Sequence, residues 1–301
     1  MWEKFGIIFD DHHCQLPVVD EYEKFYRIYY STRIDGKSNP LFIDVDKNNP
    51  KKIIKKQNNP ILKLGKRGSF DWAGIMPTDI ISFGNIKYLY YIGWSLRIDV
   101  PYHNTLGLAI SNDDGNTWTK FSDGPIFSTN NVETGYIGTV EILIENGLWK
   151  MWYLSCRNWI ESDKKFEPIY DIKYAISEDG IRWNPTNDIC INLERLEGGI
   201  SSCRVIKENN GYKMWYSIRD TFDYRLNKNH SYRIKTANSS DGIVWNKNNN
   251  IDLDISDENE WENIMVCYPF IIEKNDHLLM FYNGNGFGKT GVGYAKQQRI
   301  K

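Results

Sequence analysis

One aromatic phrase recurs five times along this 301-residue chain at nearly constant spacing. It reads FYRIYYSTR at 25–33, KYLYYIGWS at 87–95, LWKMWYLSCR at 148–157, GYKMWYSIRD at 211–220 and HLLMFYNGN at 277–285. Its equivalent tyrosines are separated by 61, 62, 63 and 66 residues: Tyr30, Tyr91, Tyr153, Tyr216 and Tyr282. A fixed period of this kind is typical of folds that repeat one small structural unit. The chain therefore has to fold as five similar units.

Each unit has the same internal order. A short apolar strand and a turn precede the aromatic strand, and a third strand follows it, such as LGLAIS at 106–111 or IKYAIS at 172–177. In three units an Asp-Gly turn and a Trp-bearing strand come next: SNDDGNTW at 111–118, SEDGIRW at 177–183 and SSDGIVW at 239–245. No long segment shows the 3.6-residue apolar period of a helix. The pattern predicts an all-β, five-bladed β-propeller with four antiparallel strands per blade, as one domain over residues 1–301.

The Asp-Gly turns have a structural interpretation in this fold. Gly supplies a positive φ and Asp bonds the local backbone, so these turns should join the third strand of a blade to its outer strand. Trp118, Trp183 and Trp245 are then expected to pack between blades. The fifth unit stops after three strands at GVGYAKQQRIK, so residues 2–9, WEKFGIIF, are predicted to supply its fourth strand and close the ring.

Charge and hydropathy exclude several classes of protein. The net charge is −2 and the 37 Lys and Arg residues are spread along the chain, which disfavours a nucleic-acid partner. The N-terminus lacks a secretion signal and no segment has 18 consecutive apolar residues, so we expect a cytoplasmic protein without a membrane partner. Five widely spaced cysteines favour buried thiols over disulfides or zinc. The 11 Trp and 19 Tyr suit a sugar-binding cleft.

The first strand of each propeller blade lines the central channel, and its start opens at one face. These starts are DDHHCQLPVV at 10–19, IMPTDII at 75–81, GTVEILI at 138–144, SSCRVI at 201–206 and MVCYPFI at 265–271. The first three supply carboxylates, Asp10 or Asp11, Asp79 and Glu141, which suit the acid–base chemistry of glycosidic bonds. Alternatively, Asp79 and Glu141 bind channel waters or pair with Arg204, which starts the fourth blade.

The unit plan, the SEDGIRWN and SNDDGNTWTK turns, the KMWY strands and these acidic starts resemble the five-bladed propeller glycoside hydrolase superfamily. That group includes arabinanases, β-xylosidases, invertase-like enzymes and β-mannoside phosphorylases, and the resemblance spans essentially the whole chain. It implies Asp11 (or Asp10) as general base, Asp79 as modulator of a neighbouring pKa and Glu141 as general acid. The chain departs from the group in lacking NDPNG and in reading GTVEIL without Glu-Gly-Pro.

The phosphorylase branch of that group implies a different use of charge, with one carboxylic acid and a phosphate held by basic side chains. Residues available for such a cradle are Arg204, Arg219, Arg225, His103 and Lys289. The charged segment IRDTFDYR at 218–225 can equally be a solvated loop. Two long connections, 93–107 and 155–171, carry aromatic and polar residues suited to sugars. The predicted substrate-binding residues are Asp10, His12, His13, Gln15, Trp94, Tyr102, His103, Asn104, Arg157, Arg204, Arg219, Tyr268, Asn283 and Asn285.

Two cofactor interpretations are disfavoured. Gly284, Gly286 and Gly288 are closely spaced, but no βαβ pattern surrounds them, so a dinucleotide site is not expected and the loop instead brings Asn283 and Asn285 to the ligand. The three histidines His12, His13 and His103 lack the fixed spacing of a metal site. We therefore expect no cofactor and no metal.

The sequence thus predicts an enzyme acting on a glycosidic bond, with a glycoside hydrolase as the leading hypothesis. A glycoside phosphorylase or a glycosyl-transferring enzyme of surface-glycan metabolism is the alternative, with a sugar phosphate or nucleotide sugar as substrate. A propeller that binds sugars without catalysis is a third hypothesis, and a protein-interaction platform is a fourth. Substitution of the three carboxylates separates catalysis from binding.

Overall fold

The computed structural model describes residues 1–162 and 165–299. Within them the chain forms twenty β-strands and a single helical turn, α1 (Asn285–Gly288). The strands are β1 Glu3–Phe9, β2 Gln15–Glu21, β3 Phe25–Ile34, β4 Lys37–Asp46, β5 Ile53–Lys56, β6 Gly74–Phe83, β7 Ile86–Leu96, β8 Tyr102–Ser111, β9 Thr119–Lys120, β10 Ile137–Glu145, β11 Leu148–Ser162, β12 Lys165–Ser177, β13 Asn184–Ile191, β14 Glu197–Glu208, β15 Gly211–Asp220, β16 Arg233–Ser239, β17 Asn246–Leu253, β18 Cys267–Glu273, β19 His277–Asn283 and β20 Val292–Gln298. The all-β prediction is confirmed.

The strands pair as five antiparallel units. Four units follow chain order: β2 to β5, β6 to β9, β10 to β13 and β14 to β17. The fifth unit contains β18, β19 and β20, and its fourth strand is β1, which runs antiparallel to β20 with Glu3 opposite Lys296. The N-terminal strand therefore occupies the position predicted for the missing fourth strand.

The first strands of the five units contact one another in sequence. The contacts run from β2 to β6, from β6 to β10, from β10 to β14, from β14 to β18, and from β18 back to β2. The second strand of each unit is covered on both faces, which is why its aromatic residues alternate so little with polar ones. Tyr30, Tyr91, Tyr153, Tyr216 and Tyr282 are all fully buried. Burial of each such ring contributes roughly 1.5 to 3 kcal/mol.

The Asp-Gly turns join the third and fourth strands within a unit, as predicted, and their tryptophans pack against the preceding unit. In the turn after β8, the Ser111 hydroxyl accepts a hydrogen bond from the Gly115 N–H at 2.8 Å. Trp118 then packs edge-on against Tyr29 of the preceding unit, with ring centroids 5.9 Å apart. Trp183 contacts Tyr90 and Trp245 contacts Trp152 in the same way. These motifs fix the packing between units, and they lie away from the first strands.

Two segments predicted as connecting loops are instead extended strands. Trp94 at the end of β7 pairs with Asn104 of β8, and Trp159 of β11 pairs with Pro168 of β12. Strand-favouring residues such as Trp94, Tyr102 and Trp159 help the backbone pairing continue past the core. The resulting hairpins project beyond the first strands and form walls around a cavity. Residues 163 and 164, within the predicted connection 155–171, lie outside the described residues.

The five cysteines are buried free thiols, as their spacing predicts. Among the described residues, no helix has the length and apolar character that a membrane span requires.

Candidate functional site

Five residues at equivalent positions of the first strands form one layer. Each lies opposite an equivalent aromatic residue of the second strand, and their spacings of 61, 62, 63 and 66 residues match those of the repeated tyrosines. The five are Val18, Asp79, Glu141, Arg204 and Phe270. Asp79, Glu141 and Arg204 are thus charged residues at three neighbouring positions of this layer. Packing alone does not require charge there, because apolar residues could fill the same positions.

Arg204 binds both carboxylates of the layer. Its Nη1 donates to Asp79 Oδ1 at 2.6 Å and also to Glu141 Oε2. Its Nη2 donates to the Thr78 carbonyl at 2.8 Å, and the guanidinium lies 3.8 Å from the centre of the Phe270 ring. Backbone N–H groups also donate to the carboxylates, Ile142 to Asp79 at 2.7 Å and Val205 to Glu141 at 3.0 Å. The carboxylates therefore have several partners.

Burial controls the protonation of this group. It raises the pKa of Glu141 to about 8, which Arg204 opposes and the charge of Asp79 reinforces. Burial likewise raises the pKa of Asp79 against the effect of Arg204. Two carboxylates facing one guanidinium leave one negative charge in a buried site, and binding one proton removes it.

Asp11 belongs to a different repeated position, just before a first strand. Its carboxylate accepts a hydrogen bond from Tyr30 at 3.0 Å and lies 3.1 Å from Lys56 Nζ on the fourth strand. An acid at the same place in every other unit also pairs with a lysine: Asp71 with Lys120, Glu133 with Lys173, Glu197 with Lys247 and Glu262 with Lys4. Four counterparts indicate that the Asp11 contact contributes to unit architecture.

A cavity of about 430 Å³ opens where the first strands begin. Eight aromatic side chains contribute to its wall: Trp94, Tyr102, Tyr136, Tyr170, Tyr224, Tyr232, Tyr268 and Phe287. Polar groups at the wall come from Gln15, Arg33, Asn104, Thr139, Ser201 and Arg225. Within the described part of the chain, none of the lining residues carries a carboxylate. Its size and its mixture of aromatic and polar groups are typical of a small-molecule site.

The floor of the cavity is held by an unusual backbone conformation. Leu16, Ser202 and Tyr268 occupy equivalent positions at irregularities of three first strands, with φ values of 59°, 48° and 57°. Positive φ is strained for such residues and occurs preferentially at functional sites. The adjacent Ser201 hydroxyl is buried and has no hydrogen-bond partner within residues 1–162 and 165–299. Ser201 is also one of the residues that line the cavity.

Charged groups surround the cavity unevenly. Arg33 lies 5.1 Å from the Trp94 ring, and burial lowers its pKa. Arg225 Nη1 donates to Glu167 at 2.5 Å, and the Tyr224 hydroxyl donates to the same carboxylate at 2.7 Å. Burial also lowers the pKa of His13, and the charge of Arg33 adds to that effect. The cavity wall thus presents the cationic groups of Arg33 and Arg225. The carboxylate of Glu167 is already paired with Arg225 and Tyr224.

Five of the predicted binding residues line the cavity: Gln15, Trp94, Tyr102, Asn104 and Tyr268. The other predicted catalytic and binding residues do not line it: Asp10, Asp11, His12, His13, Asp79, His103, Glu141, Arg157, Arg204, Arg219, Asn283 and Asn285. Asn283 and Asn285 use their amides to bind backbone groups, such as the Leu16 N–H at 2.9 Å and the Ile264 N–H at 2.9 Å. Their sequence position next to the glycines made them look accessible, but the glycine loop folds inward.

Sequence reasoning did not place Arg33, Tyr136 or Tyr232 in the site. A signal for Arg33 exists, because it follows its repeated tyrosine by three residues, as Trp94 does in the next unit. Tyr136 and Tyr232 lie just before β10 and β16, where spacing between units varies. No comparable signal marks those two tyrosines.

Comparison with known proteins identifies relatives over the full length. Rv1502 and MT1551, uncharacterized proteins from two strains of Mycobacterium tuberculosis, are each 30% identical to the chain over 308 residues, with 98% of both chains covered. The chain belongs to the Rv1502 family. No protein-family model matches the sequence.

Solved structures show which folds this chain resembles. A structure described as a glycoside hydrolase has a TM-score of 0.73 at 15% identity, covering 99% of this chain and 92% of that one. A thermostable family-43 glycoside hydrolase has a TM-score of 0.70 at 15% identity, covering 96% and 90%. The β-1,2-mannobiose phosphorylase from Listeria innocua has a TM-score of 0.70 at 14% identity, covering 95% and 89%. The chain therefore has the propeller glycosidase fold that the sequence resemblance implied.

Proposed function

We propose that the five antiparallel units are the blades of a five-bladed β-propeller that spans residues 1–301 as one domain. The cyclic contacts among the first strands support this arrangement, as does the pairing of β1 with β20. The layer of Asp79, Glu141 and Arg204 then lies across the central channel. The aromatic cavity lies above that layer, at the open end of the channel.

We infer that this Rv1502-family protein is a carbohydrate-active enzyme that acts on a glycosidic bond in the cavity. The composition of the lining carries the inference. Aromatic faces such as Trp94 and Tyr268 suit the apolar faces of a sugar ring, and Gln15, Asn104 and Ser201 supply groups for its hydroxyls. The glycoside hydrolases and phosphorylase among the structurally similar proteins agree with this assignment.

Among reactions at a glycosidic bond, the geometry supports best a transfer that involves a phosphate group. The charged side chains at the cavity wall are Arg33 and Arg225, and guanidinium groups bind phosphate oxygens well. An inverting hydrolase instead needs two carboxylic groups roughly 6.5 to 9.5 Å apart with room for water. Asp79 and Glu141 share one nitrogen of Arg204 and lie outside the lining.

Hydrolysis is the second candidate, with Asp11 as base, Asp79 as modulator and Glu141 as acid. One observation favours it. Burial raises the pKa of Glu141 to about 8, so this carboxyl carries a proton at neutral pH, as a general acid must. For this route a ligand has to bring the glycosidic oxygen within hydrogen-bond distance of Glu141.

The two routes differ in their need for phosphate. The purified protein is incubated with a panel of disaccharides and 4-nitrophenyl glycosides, with and without inorganic phosphate, and with glycosyl phosphates and nucleotide sugars as donors. Sugar phosphate formed only with phosphate present supports phosphorolysis. Free sugar formed without phosphate, and lost in Glu141→Gln, supports hydrolysis. Sugar binding without any turnover would contradict the assignment as an enzyme.

A further inference from the structure

Arg219 is a buried cation behind the cavity wall. Only 2% of the residue is exposed. Its Nη1 donates to the Asp220 carbonyl at 2.8 Å, its Nη2 to the Pro168 carbonyl at 2.5 Å, and its Nε to the Tyr170 hydroxyl at 3.1 Å. Within the described residues, all its hydrogen bonds go to neutral oxygens. A buried charge without an anion is costly and needs a compensating partner.

The surroundings of Arg219 do not supply that anion. Its guanidinium lies 3.9 Å from the centre of the Tyr224 ring and 4.8 Å from that of Tyr170. These ring faces compensate a cation only in part. The carboxylate of Glu167 forms an ion pair with Arg225 and accepts a hydrogen bond from Tyr224. This wall therefore holds two guanidinium groups and one carboxylate, an excess of positive charge.

Tyr170 connects Arg219 to the cavity. Its oxygen accepts the Arg219 hydrogen bond, and its hydroxyl is also hydrogen-bonded to the hydroxyl of Tyr232. Both tyrosines line the cavity. Two phenols carry two hydroxyl hydrogens, and their mutual bond uses one. The other has no acceptor among the described residues, so the pair has one O–H to offer a ligand, polarised by the charge of Arg219.

We propose that the hydroxyl pair of Tyr170 and Tyr232 donates its remaining O–H to an anionic oxygen, a carboxylate or phosphate oxygen carried by the sugar ligand. Arg219 acts as a positioning residue: it orients Tyr170 and supplies the positive charge without touching the ligand. The proposal rests on the proposed function in taking the cavity as the glycosyl site, and it adds that the ligand is an anionic sugar. An anion at this wall also balances the charge of Arg219.

The cavity contains a matched control for this pair. The hydroxyls of Tyr102 and Tyr136 are 3.5 Å apart and both residues line the same cavity. No arginine donates a hydrogen bond to either hydroxyl within the described residues. Loss of the Tyr136 hydroxyl should therefore perturb the lining to a similar extent without removing the charge-polarised donor.

The experiment measures ligand affinity by calorimetry on the full chain. The ligands are glucose, galactose and mannose, each as the neutral sugar, the uronate and the 1-phosphate, together with inorganic phosphate alone. We expect an anionic ligand to bind about tenfold or more tightly than its neutral counterpart, and Tyr170→Phe and Tyr232→Phe each to reduce that affinity by about tenfold. Neutral-sugar affinity should fall less than anion affinity in both variants, so their anion preference falls. Tyr136→Phe should change the two affinities by the same factor and keep the anion preference of the wild type.

Further variants and ligands test the role of charge and the source of the anion. Arg219→Met should abolish the anion preference if it folds, as judged by circular dichroism, and Arg219→Lys should restore part of it. A preference for uronates identifies a carboxylate ligand, and a preference for 1-phosphates or inorganic phosphate identifies a phosphate ligand.

Three results overturn the proposal. They are no binding of any anion in the series, an anion preference that Tyr170→Phe and Tyr232→Phe both retain, or an equal loss of that preference in Tyr136→Phe. A different result would contradict only the proposed enzyme function: anions bind at the tyrosine pair, but no glycoside is turned over. If neutral glycosides are turned over and no anion preference is found, the proposed anion site is contradicted and the proposed enzyme function is retained.

Discussion

Asp79 and Glu141 lie on neighbouring first strands and accept hydrogen bonds from the same nitrogen, Nη1 of Arg204. The three residues are buried, with exposed fractions of 3%, 8% and 5%. Their formal charges sum to one negative unit when both carboxylates are ionised. Because water cannot solvate that excess, the site is more stable after it takes up one proton. Protein stability should therefore depend on pH through this group.

The free energy of unfolding should fall as pH rises between about 4.5 and 8. Burial raises the pKa of Glu141 from 4.5 to about 8, so the folded protein holds a proton in this range that the unfolded chain releases. The contribution is complete below pH 4.5 and is lost as pH rises through 8, with a limiting slope of about 1.4 kcal/mol per pH unit. Urea unfolding at several pH values measures it.

Glu141→Gln should flatten this dependence, because the amide is neutral throughout. Glu178→Gln is the control, since Glu178 is an exposed carboxylate in a turn and its loss should leave the slope unchanged. Equal slopes in wild type and Glu141→Gln would show that the buried group takes up no proton.

Asp11→Asn and Glu133→Gln compare equivalent acids of two units. Asp11 pairs with the half-exposed Lys56, so its loss should cost at most about 1 kcal/mol of unfolding free energy. Glu133 is buried and binds Tyr153, Ser155 and Lys173, so its loss should cost about 3 kcal/mol. Denaturant unfolding measures both values.

If the Asp11 carboxylate only stabilises the fold, both variants keep wild-type turnover of any glycoside substrate. A loss of turnover of two orders of magnitude, confined to Asp11→Asn, would instead identify Asp11 as the base.

Repetition explains how much of this protein the sequence could predict. The repeated tyrosines predicted the strand units, and the alternative in which Asp79 and Glu141 pair with Arg204 is the arrangement found. The repeat also places Asp11 among five equivalent acids, one in each unit, that pair with a lysine. This equivalence is recognised only when all five units are compared. The cavity wall was harder to predict. Tyr232 reaches the cavity from a connection whose length is specific to its unit, so no periodic signal marks it.

Lys4→Met tests the contribution of the N-terminal strand. The Nζ of Lys4 lies 2.9 Å from Glu262, whose side chain is fully buried, and this pair joins residues 258 positions apart. Removing the lysine leaves a buried carboxylate without its cation, which should lower the free energy of unfolding by about 3 kcal/mol. Lys228→Met, which removes the partner of the exposed Asp257, should change it by less than about 1 kcal/mol. Chemical denaturation of both variants provides the comparison. A similar small effect in the two would mean that β1 is held by its backbone pairing and apolar contacts alone.

Gly199→Ala tests whether the position of Tyr170 determines ligand binding. A Cβ atom at residue 199 would lie 2.3 Å from Cε2 of the Tyr170 ring, closer than side-chain atoms approach one another. The Tyr170 ring or the β14 backbone therefore has to shift, which disturbs the geometry of the hydroxyl toward Arg219 and Tyr232. We expect overpacking to cost about 1 to 3 kcal/mol of stability and ligand affinity to fall by about tenfold or more. Gly124→Ala is the control, because a Cβ there meets nothing within 4 Å. Calorimetric titration with the tightest ligand of the sugar series measures the effect. Unchanged affinity in a folded Gly199→Ala protein would contradict a dependence of ligand binding on the packing around Tyr170.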